Sequence, residues 1–188
     1  MNRAFSSTIR PRVRQAQSLL EMALVLSVAL AFLAMAAALS YHLVTESSAR
    51  EEAESVVSLA DSVRRIKKFD GYAGSESLMR EVIELHLAPP TLYVDDVAIT
   101  MTNSWGGEVF LTRQNGGEAF AITYEGLTPR TCSLMALYVR SSTLFSFGPG
   151  AAPANSGGGG SRLIATLTPQ EIGDICESDV VHWSSGAP

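Results

Sequence analysis

The stretch Gln17–Thr45, QSLLEMALVLSVALAFLAMAAALSYHLVT, decides how the rest of the chain is organised. It contains no Gly or Pro, and from Met22 onward it contains no Asp, Glu, Lys or Arg. About 20 apolar residues are enough for one helix to cross the hydrocarbon core of a bilayer. The sequence therefore predicts a hydrophobic N-terminal helix over residues 17–45 that is long enough to span a membrane.

One acidic residue, Glu21, lies near the start of this apolar run. A carboxylate within a membrane span costs roughly 2.5–3.5 kcal/mol on insertion scales, and such residues commonly mark functional sites. No basic residue lies nearby on the same helix, so its partner would be on another molecule or would be a chain terminus. The alternative is a glutamate at the membrane interface, hydrated by lipid headgroups.

The segment before the apolar run, residues 1–16, is short and basic, with four Arg and no acid. Acidic residues follow the run, and cytoplasmic flanks carry the excess of Lys and Arg, so Met1 is predicted to be cytoplasmic. The run is about twice as long as the apolar region of an ordinary signal peptide. The length of the apolar run therefore favours an uncleaved single-pass anchor over a secretory signal peptide.

The composition limits the size and the partners of the remainder. A chain of 188 residues has room for one soluble domain of ordinary size beside the N-terminal helix. The formal net charge is −5, and removing residues 1–16 would leave 10 basic and 19 acidic side chains, or −9. Such an acidic chain argues against nucleic acid as the main partner, because phosphate binding needs clustered Lys and Arg.

The helical pattern continues past the apolar run. Between residues 46 and 69, apolar residues recur every three or four positions, which predicts an amphipathic helix: Ala49, Ala53, Val56, Val57, Ala60, Val63 and Ile66. No helix breaker separates the two segments, so one helix is predicted from about Ser18 to Phe69, ending at Asp70-Gly71.

A second helix and then a run of strands are predicted after it. The helix covers about Glu76–Leu87, with Leu78, Val82 and Leu85 on its apolar face, and Pro89-Pro90 stops it. Short β-rich runs at 97–102, 109–112 and 119–124 are separated by turns, which indicates an antiparallel meander. The first of these turns, 103–107, contains Trp105, whose indole is expected to be buried.

The C-terminal third contains two helix-start signals. Thr128-Pro129 predicts a helix that extends to Arg140, and the capping box Thr168–Glu171 predicts a short helix that ends at Cys176. Residues 148–161 are predicted by composition to be a flexible loop. Residues 163–167 and 179–183 are predicted strands.

Side chains that could carry hydrolytic or metal chemistry are scattered. The adjacent carboxylates at 51–52 and 95–96 are interpreted as solvated pairs, and the glycines at 157–160 lack the Lys-Ser/Thr of a phosphate loop. No catalytic residue, metal site or cofactor is predicted, since no two histidines have zinc-site spacing: His42, His86 and His182.

The two cysteines, Cys132 and Cys176, both lie in the C-terminal half. After a membrane or export signal, an even pair indicates a disulfide in an oxidising compartment, although two buried free thiols are the alternative. A bridge between them would close a loop of roughly 45 residues and contribute on the order of 4 kcal/mol in the chain-entropy model.

The residues Ala16-Gln17-Ser18-Leu19-Leu20-Glu21, followed by the apolar run, resemble the processing region of type IV pilins. In that family a prepilin peptidase cuts just before the apolar segment and methylates the new N-terminus, and a Glu is the fifth mature residue. The resemblance implies cleavage between Ala16 and Gln17, N-methylation of Gln17, and a role for Glu21 in assembly register. The family normally has Gly where this chain has Ala16.

The C-terminal half resembles the type IVb branch, which includes the PilS-type pilins of conjugative thin pili and the toxin-coregulated pilin. The similarity lies in ITMTNSWGG at 99–107 and in FAITYEGLT at 120–128, followed by Cys132. It implies an α+β type IV pilin fold, in which a long N-terminal helix, first membrane-spanning and then amphipathic, packs on an antiparallel β-sheet head. Short extra helices and a C-terminal disulfide, Cys132–Cys176, complete this head.

The resemblance also implies three regions: a cleaved leader at 1–16, a hydrophobic transmembrane and filament-core helix at 17–45, and a periplasmic or extracellular head at 46–188. The expected function is a structural pilus subunit, not an enzyme, used for adhesion, aggregation or conjugative contact. Its expected partners are other copies of itself, a prepilin peptidase, the inner-membrane assembly machinery and the bacterial inner membrane, with no nucleic acid. The alternatives are a minor pilin, a type II secretion pseudopilin, and a membrane-anchored periplasmic binding domain.

Overall fold

The computed structural model describes residues 10–69, 71–141, 145–150 and 162–185, and for residues 10–20 and 42 it describes the backbone alone. Four helices, seven strands and two short 3-10 helices (Asn115–Gly117 and Ile164–Thr166) are described. In chain order, the helices and strands are α1 (Arg10–Arg65), α2 (Ser75–Glu84), β1 (Tyr93–Asp95), β2 (Thr100–Thr102), β3 (Glu108–Gln114), β4 (Ala119–Glu125), α3 (Pro129–Val139), β5 (Phe145–Pro149), β6 (Arg162–Leu163), α4 (Pro169–Ile175) and β7 (Val180–Ser185).

The chain divides into two compact units, Met1–Val44 and Thr45–Pro188. In the first unit the described structure is helix α1, which begins at Arg10, eight residues before the predicted start. The basic segment lacks a signal that would stop a helix, and Pro11 falls in the first turn, where a missing N–H leaves no intrahelical bond unmade. The predicted leader region is therefore partly helical, and residues 1–9 lie outside the described residues.

In the second unit, α1 ends at Arg65, four residues earlier than predicted. The chain then turns, because Lys68 and Gly71 exchange backbone hydrogen bonds of 3.3 and 3.0 Å. Gly71 has φ +101°, and a Cβ there would lie 2.6 Å from the Gly117 carbonyl oxygen. Of the predicted helix stop Asp70-Gly71, the structure therefore supports Gly71 as a turn residue. Asp70 lies outside the described residues.

The seven strands form one antiparallel sheet in the order β1-β2-β3-β4-β7-β5-β6. The predicted meander is confirmed for β2, β3 and β4, and it also includes β1, which the sequence analysis missed. The last strand, β7, lies between β4 and β5, so Trp183 sits opposite Ile122 on one side and Phe147 on the other. This long-range insertion makes β4 and β7 central strands.

One face of the sheet forms the core with the second half of α1. The Trp183 ring lies 5.4 Å from Tyr124 and 5.3 Å from Phe147, measured between centroids. The predicted apolar face of the helix is confirmed, except that Val57 and Ile66 are only half-buried and Leu59 was missed. Small and β-branched side chains on this face let the helix lie close to the sheet: Ala49, Ala53, Val56, Ala60 and Val63.

The second helix, α2, ends at Glu84, so the prediction that Leu85 belongs to its buried face is wrong. Leu85 follows the last helical residue and is 54 % exposed, whereas Leu78 and Val82 are buried. The chain leaves the helix at His86, which has φ +53°. The helix thus stops before the Pro89-Pro90 pair can act on it.

The predicted strand at 97–102 is shorter than expected. The Asp95 carboxylate accepts hydrogen bonds of 2.9 Å from the N–H groups of Val97 and Ala98, which forms a turn instead of a strand. Ile99 then adopts φ +56°, and regular pairing begins only at Thr100. A local side-chain bond therefore overrides the alternating pattern.

Two further expectations are corrected in the C-terminal third. Strand β5 extends to Pro149, so the predicted loop begins after that residue, and its remaining part at 151–161 lies outside the described residues. The predicted strand 163–167 is extended only at Arg162–Leu163 and continues as a 3-10 helix at Ile164–Thr166. The predicted final strand is confirmed as β7.

Candidate assembly site

The first half of α1 exposes an apolar surface. Every side chain described between Glu21 and Val44 is exposed, including Phe32 and Leu33. The helix from Glu21 contains a window with a mean hydropathy of 2.5, so it is long and apolar enough to cross a membrane. A continuous apolar surface of this size requires lipid or another protein to cover it.

The hydroxyl groups of two serines within this apolar segment are satisfied inside the helix. The Ser27 hydroxyl donates to the Leu24 carbonyl oxygen at 2.8 Å, and the Ser40 hydroxyl donates to the Ala36 carbonyl oxygen at 2.9 Å. Groups in lipid or in an apolar bundle must find such internal partners, because water is absent there. The segment can therefore move between a lipid and a protein environment without leaving these hydroxyls unpaired.

Glu21 is exposed on this apolar segment. None of the ion pairs found among the described residues includes it. The predicted processing residues Ala16 and Gln17 lie in the same helix, but their side chains lie outside the described part of the chain. The predicted partner of Glu21, an α-amino group of a neighbouring subunit, thus remains a prediction.

A second carboxylate, Glu52, is completely buried between α1 and the β2–β3 turn. It accepts hydrogen bonds from the Ser104 backbone N–H at 2.7 Å, from the Ser104 hydroxyl at 2.6 Å and from the Tyr124 hydroxyl at 3.3 Å. Burial, followed by the neighbouring Glu52 carboxylate, raises the pKa of Tyr124 well above its usual value. Glu52 therefore ties the helix to the sheet through three donors.

The sequence interpretation of Glu51 and Glu52 as a solvated pair is wrong for Glu52. Glu51 is exposed, but Glu52 lies one turn from Ala49 and from Val56, on the buried face of the helix. Helix periodicity alone places position 52 on that face, because residues three and four apart are neighbours. The spacing of Glu52 from Ala49 and Val56 was therefore enough to predict that its side chain is buried.

The turn that receives Glu52 has its own internal scaffold. The Asn103 side-chain oxygen accepts bonds of 3.0 Å from the N–H groups of Trp105 and Gly107, and its amide donates to the Glu125 carbonyl oxygen at 2.9 Å. A Cβ at Gly107 would lie 1.8 Å from that same carbonyl oxygen. Trp105 is only half-buried, so the expected buried indole is found instead at Trp183.

The C-terminal region is closed by a disulfide between Cys132 and Cys176, with an S–S distance of 1.92 Å and both residues buried. It joins the first turn of α3 to the end of α4. Both helices start as predicted: the Thr128 hydroxyl accepts from the Thr131 N–H, and Thr168 forms the capping box with Glu171. The disulfide and the two caps therefore stabilise the same part of the head.

Glu171, which is half-buried at the start of α4, has a carboxylate with several hydrogen-bond partners. Its Oε2 accepts from the backbone N–H and from the hydroxyl of Thr168, both at 2.8 Å, and its Oε1 lies 2.5 Å from Arg162 Nη1. The two bonds from Thr168, and then Arg162, lower the pKa of Glu171 to about 2. The start of α4 is therefore sensitive to acid.

The His182 imidazole has its contact within the head. His182 Nδ1 lies 2.9 Å from the Gly150 carbonyl oxygen, and burial lowers the pKa of this imidazole. Within residues 10–69, 71–141, 145–150 and 162–185, no three His, Cys, Asp or Glu side chains are arranged to hold a metal ion. The buried polar groups described above are structural contacts within the head.

The head matches a known protein family and has the fold of solved structures. The family model for the PilS N-terminal region matches residues 46–163, which is more than half of the chain. The fold is similar to that of the type IVb pilin from Salmonella typhi, with a TM-score of 0.56 and 19 % identity, over 72 % of this chain and 98 % of that one.

A further similar structure is TcpA, a type IV pilin from the Vibrio cholerae El Tor biotype. The TM-score is 0.42 and the identity 15 %, over 76 % of this chain and 99 % of the other. A search of curated protein sequences found no match. The family match and the α+β architecture agree with the resemblance seen in the sequence. The chain belongs to the PilS family, and it is a type IVb pilin, a non-enzymatic structural subunit that self-associates into a pilus.

Proposed function

We propose that the chain is made as a membrane-anchored prepilin, cut between Ala16 and Gln17, and polymerised into a type IVb pilus. The observation that carries this proposal is the apolar surface that α1 exposes over its whole described length from Glu21 to Val44. The same surface suits lipid before assembly and neighbouring α1 helices afterwards. Prepilin peptidase and the inner-membrane assembly machinery are the proposed partners in this transfer.

Before assembly, residues 17–45 hold the subunit in the bacterial inner membrane with Met1 in the cytoplasm. The basic leader at 1–16 supports this orientation. Residues 46–188 form the head on the opposite side. These three regions are thus proposed to be leader, filament-core helix and surface-exposed head.

Cleavage would create a new α-amino group at Gln17, four residues before Glu21, and methylation would retain its positive charge. In a bundle of α1 helices the amine of one subunit can neutralise Glu21 of its neighbour. An isolated buried carboxylate is strongly unfavourable, whereas a paired one is tolerated, so this contact selects one axial register among many that the apolar surface would allow. Ala34 and Ala37, among other small residues, permit close approach of the helices.

The assembled pilus is proposed to serve adhesion, aggregation or conjugative contact through the disulfide-bonded region of the head. A link of Cys132 to Cys176 stabilises that region outside the cell, where disulfides persist. In this role the head makes contacts with other surfaces and catalyses no reaction.

The N-terminus of the filament protein tests the processing step. Intact mass and N-terminal sequencing of sheared filaments should find a subunit that begins at methylated Gln17. Co-expression with and without a prepilin peptidase supplies the control, because an unprocessed anchor would have the same mass in both. Filament protein that retains Met1 would contradict the proposal.

A further inference from the structure

The segment that follows α1 carries an exposed aromatic ring next to basic residues. Phe69 is fully exposed, more so than any other large apolar side chain among the described residues. Arg65, Lys67 and Lys68 precede it and are exposed as well. We call residues 65–69 the basic tip. Covering such a ring with protein removes apolar area from water, which is favourable, so Phe69 can contribute to a contact with another molecule.

The basic tip is held in place from within its own chain. Lys67 Nζ donates to the Glu118 carbonyl oxygen at 3.1 Å and lies 5.3 Å from the centre of the Tyr72 ring. Lys68 Nζ lies 3.2 Å from the Glu81 carboxylate. These contacts position the tip before it meets a partner, which lowers the entropy that binding would cost.

A complementary groove lies beside the outer edge of β3. This edge groove has a volume of about 400 Å³, in the range of ligand and side-chain binding pockets. Its apolar walls include Met79, Ile99 and Phe110, and the carboxylates of Glu76 and Glu125 also line it, whereas none of its lining residues is basic. The groove therefore suits an apolar group that carries positive charge beside it.

Three local features show that the edge groove is not a fully satisfied part of the core. Ile99 has φ +56°, which is strained for a β-branched residue. The pairing of β2 with β3 ends at Met101, opposite Val109, so Thr100 is not paired with β3. Farther along β3, the Arg113 N–H donates to the Ser75 hydroxyl of the groove wall at 2.9 Å and not to a strand. The hydroxyl of Thr123, which is 1 % exposed and lines the groove, has no hydrogen-bond partner among the described residues. Strained backbone and unpaired buried polar groups are concentrated at binding sites.

The charges of the two surfaces are opposite. Glu125 takes part in none of the ion pairs among the described residues, and Glu76 is 3.6 Å from Arg80 in an exposed pair that contributes little. Arg65 and Lys68 precede Phe69 on the tip and are exposed. Because Phe69 is exposed in its own chain, it does not fill its own groove.

We propose that Phe69 of one subunit inserts into the edge groove of a neighbouring subunit, with Arg65 and Lys68 beside Glu76 and Glu125. A contact between two different surfaces of identical subunits is heterologous, and its repetition generates an open helical filament. The contact presupposes the proposed polymerisation and would add a head-to-head interaction to the packing of the α1 helices.

Cysteine cross-linking in filaments tests the contact directly. The double variant Phe69→Cys with Ala98→Cys places one thiol on the tip and one at the groove, since Ala98 is exposed and lines it. Sheared filaments of this variant should give a ladder of covalent multimers on a non-reducing gel. Phe69→Cys with Gln170→Cys, an exposed residue of α4, is the matched control and should give no ladder.

Charge reversal supplies a second measurement that needs no new bond. Arg65→Glu should reduce filament yield at least tenfold with unchanged subunit level in the membrane, and adding Glu76→Arg should restore it. Filaments at normal yield in Arg65→Glu, or normal filaments of the cysteine variant without a ladder, would overturn the contact while leaving polymerisation intact. Absence of filaments from the parent chain would instead contradict polymerisation, and the contact with it.

Discussion

Glu52 brings a carboxylate into the apolar core, where three donors from Ser104 and Tyr124 satisfy it. Hydrogen bonds to a charged group contribute more than neutral ones, and leaving their donors unpaired in the core is costly. Residue identity alone does not distinguish Glu52 from Glu51. Helix phase does, because one of the two positions faces the sheet and the other faces solvent.

Replacing Glu52 with Ala should lower the free energy of unfolding by about 3 kcal/mol, because the Ser104 and Tyr124 donors lose their acceptor. Urea unfolding of the detergent-solubilised protein, followed by tryptophan fluorescence, measures this change. The neighbouring variant Glu51→Ala is the control and should stay within about 0.5 kcal/mol of wild type. Equal effects of the two variants would contradict the role assigned to Glu52.

Position 107 requires glycine because there is no room for a Cβ, and not because of a positive φ. Its Cβ position lies 1.8 Å from the Glu125 carbonyl oxygen, so Gly107→Ala must displace the turn and the Asn103 bonds within it. We expect a loss of roughly 3 kcal/mol, as for overpacked core positions. Gly74→Ala, where nothing lies within 4 Å, is the control and should be nearly neutral in the same urea unfolding assay. A stable Gly107→Ala protein would show that the turn can relax.

At the scale of elements, local signals were the most predictive. The Thr128 cap, the Thr168 capping box and the turn at 103–107 each depend on a few adjacent residues, and each is present in the structure. The position of β7 between β4 and β5 could not be predicted, because strand order depends on contacts between residues that are distant in sequence. The prediction of a strand from residue 97 failed for a local reason. The Asp95 carboxylate forms a turn with Val97 and Ala98, and this turn competes with strand pairing.

The acid response of α4 follows from Glu171, whose pKa is lowered to about 2 by the bonds from Thr168 and then by Arg162. A carboxyl group with a lowered folded-state pKa contributes stability above its unfolded pKa, near 4.3, and that contribution is lost as the pH falls toward 2. The melting temperature of wild type should therefore exceed that of Glu171→Gln at pH 6, and the difference should shrink between pH 4.5 and 2. Glu177→Gln is the matched control, and a pH-independent difference for Glu171→Gln would contradict the assignment.

At the scale of the whole molecule, the chain combines a segment that needs an apolar environment with a head that carries its own core. The exposed surface of residues 21–44 cannot be stable in water, whereas the head has a core in which Tyr124 and Phe147 pack around Trp183. The sequence predicted both halves because hydropathy and helix periodicity are local properties. The covering partner is not visible in one chain, so self-association was inferred from the family match and from the need to cover this surface.

The register role proposed for Glu21 predicts a separation of membrane insertion from assembly. Glu21→Ala should enter the membrane as well as wild type, because it removes a charge from an apolar segment. It should nevertheless give at least tenfold fewer filaments, since neighbouring helices lose the contact that aligns them. Glu46→Ala, an acidic residue just beyond the apolar run, is the control, and normal piliation in Glu21→Ala would remove the register role.

The most direct test of the central claim is to image sheared cell-surface material by negative-stain microscopy and to identify its main protein band by mass. Cells that produce this chain with a prepilin peptidase should yield thin filaments in which the chain, beginning at Gln17, is the principal subunit. Absence of filaments, or filaments in which this chain is absent or only a trace component, would contradict the claim that it forms the shaft of a type IVb pilus.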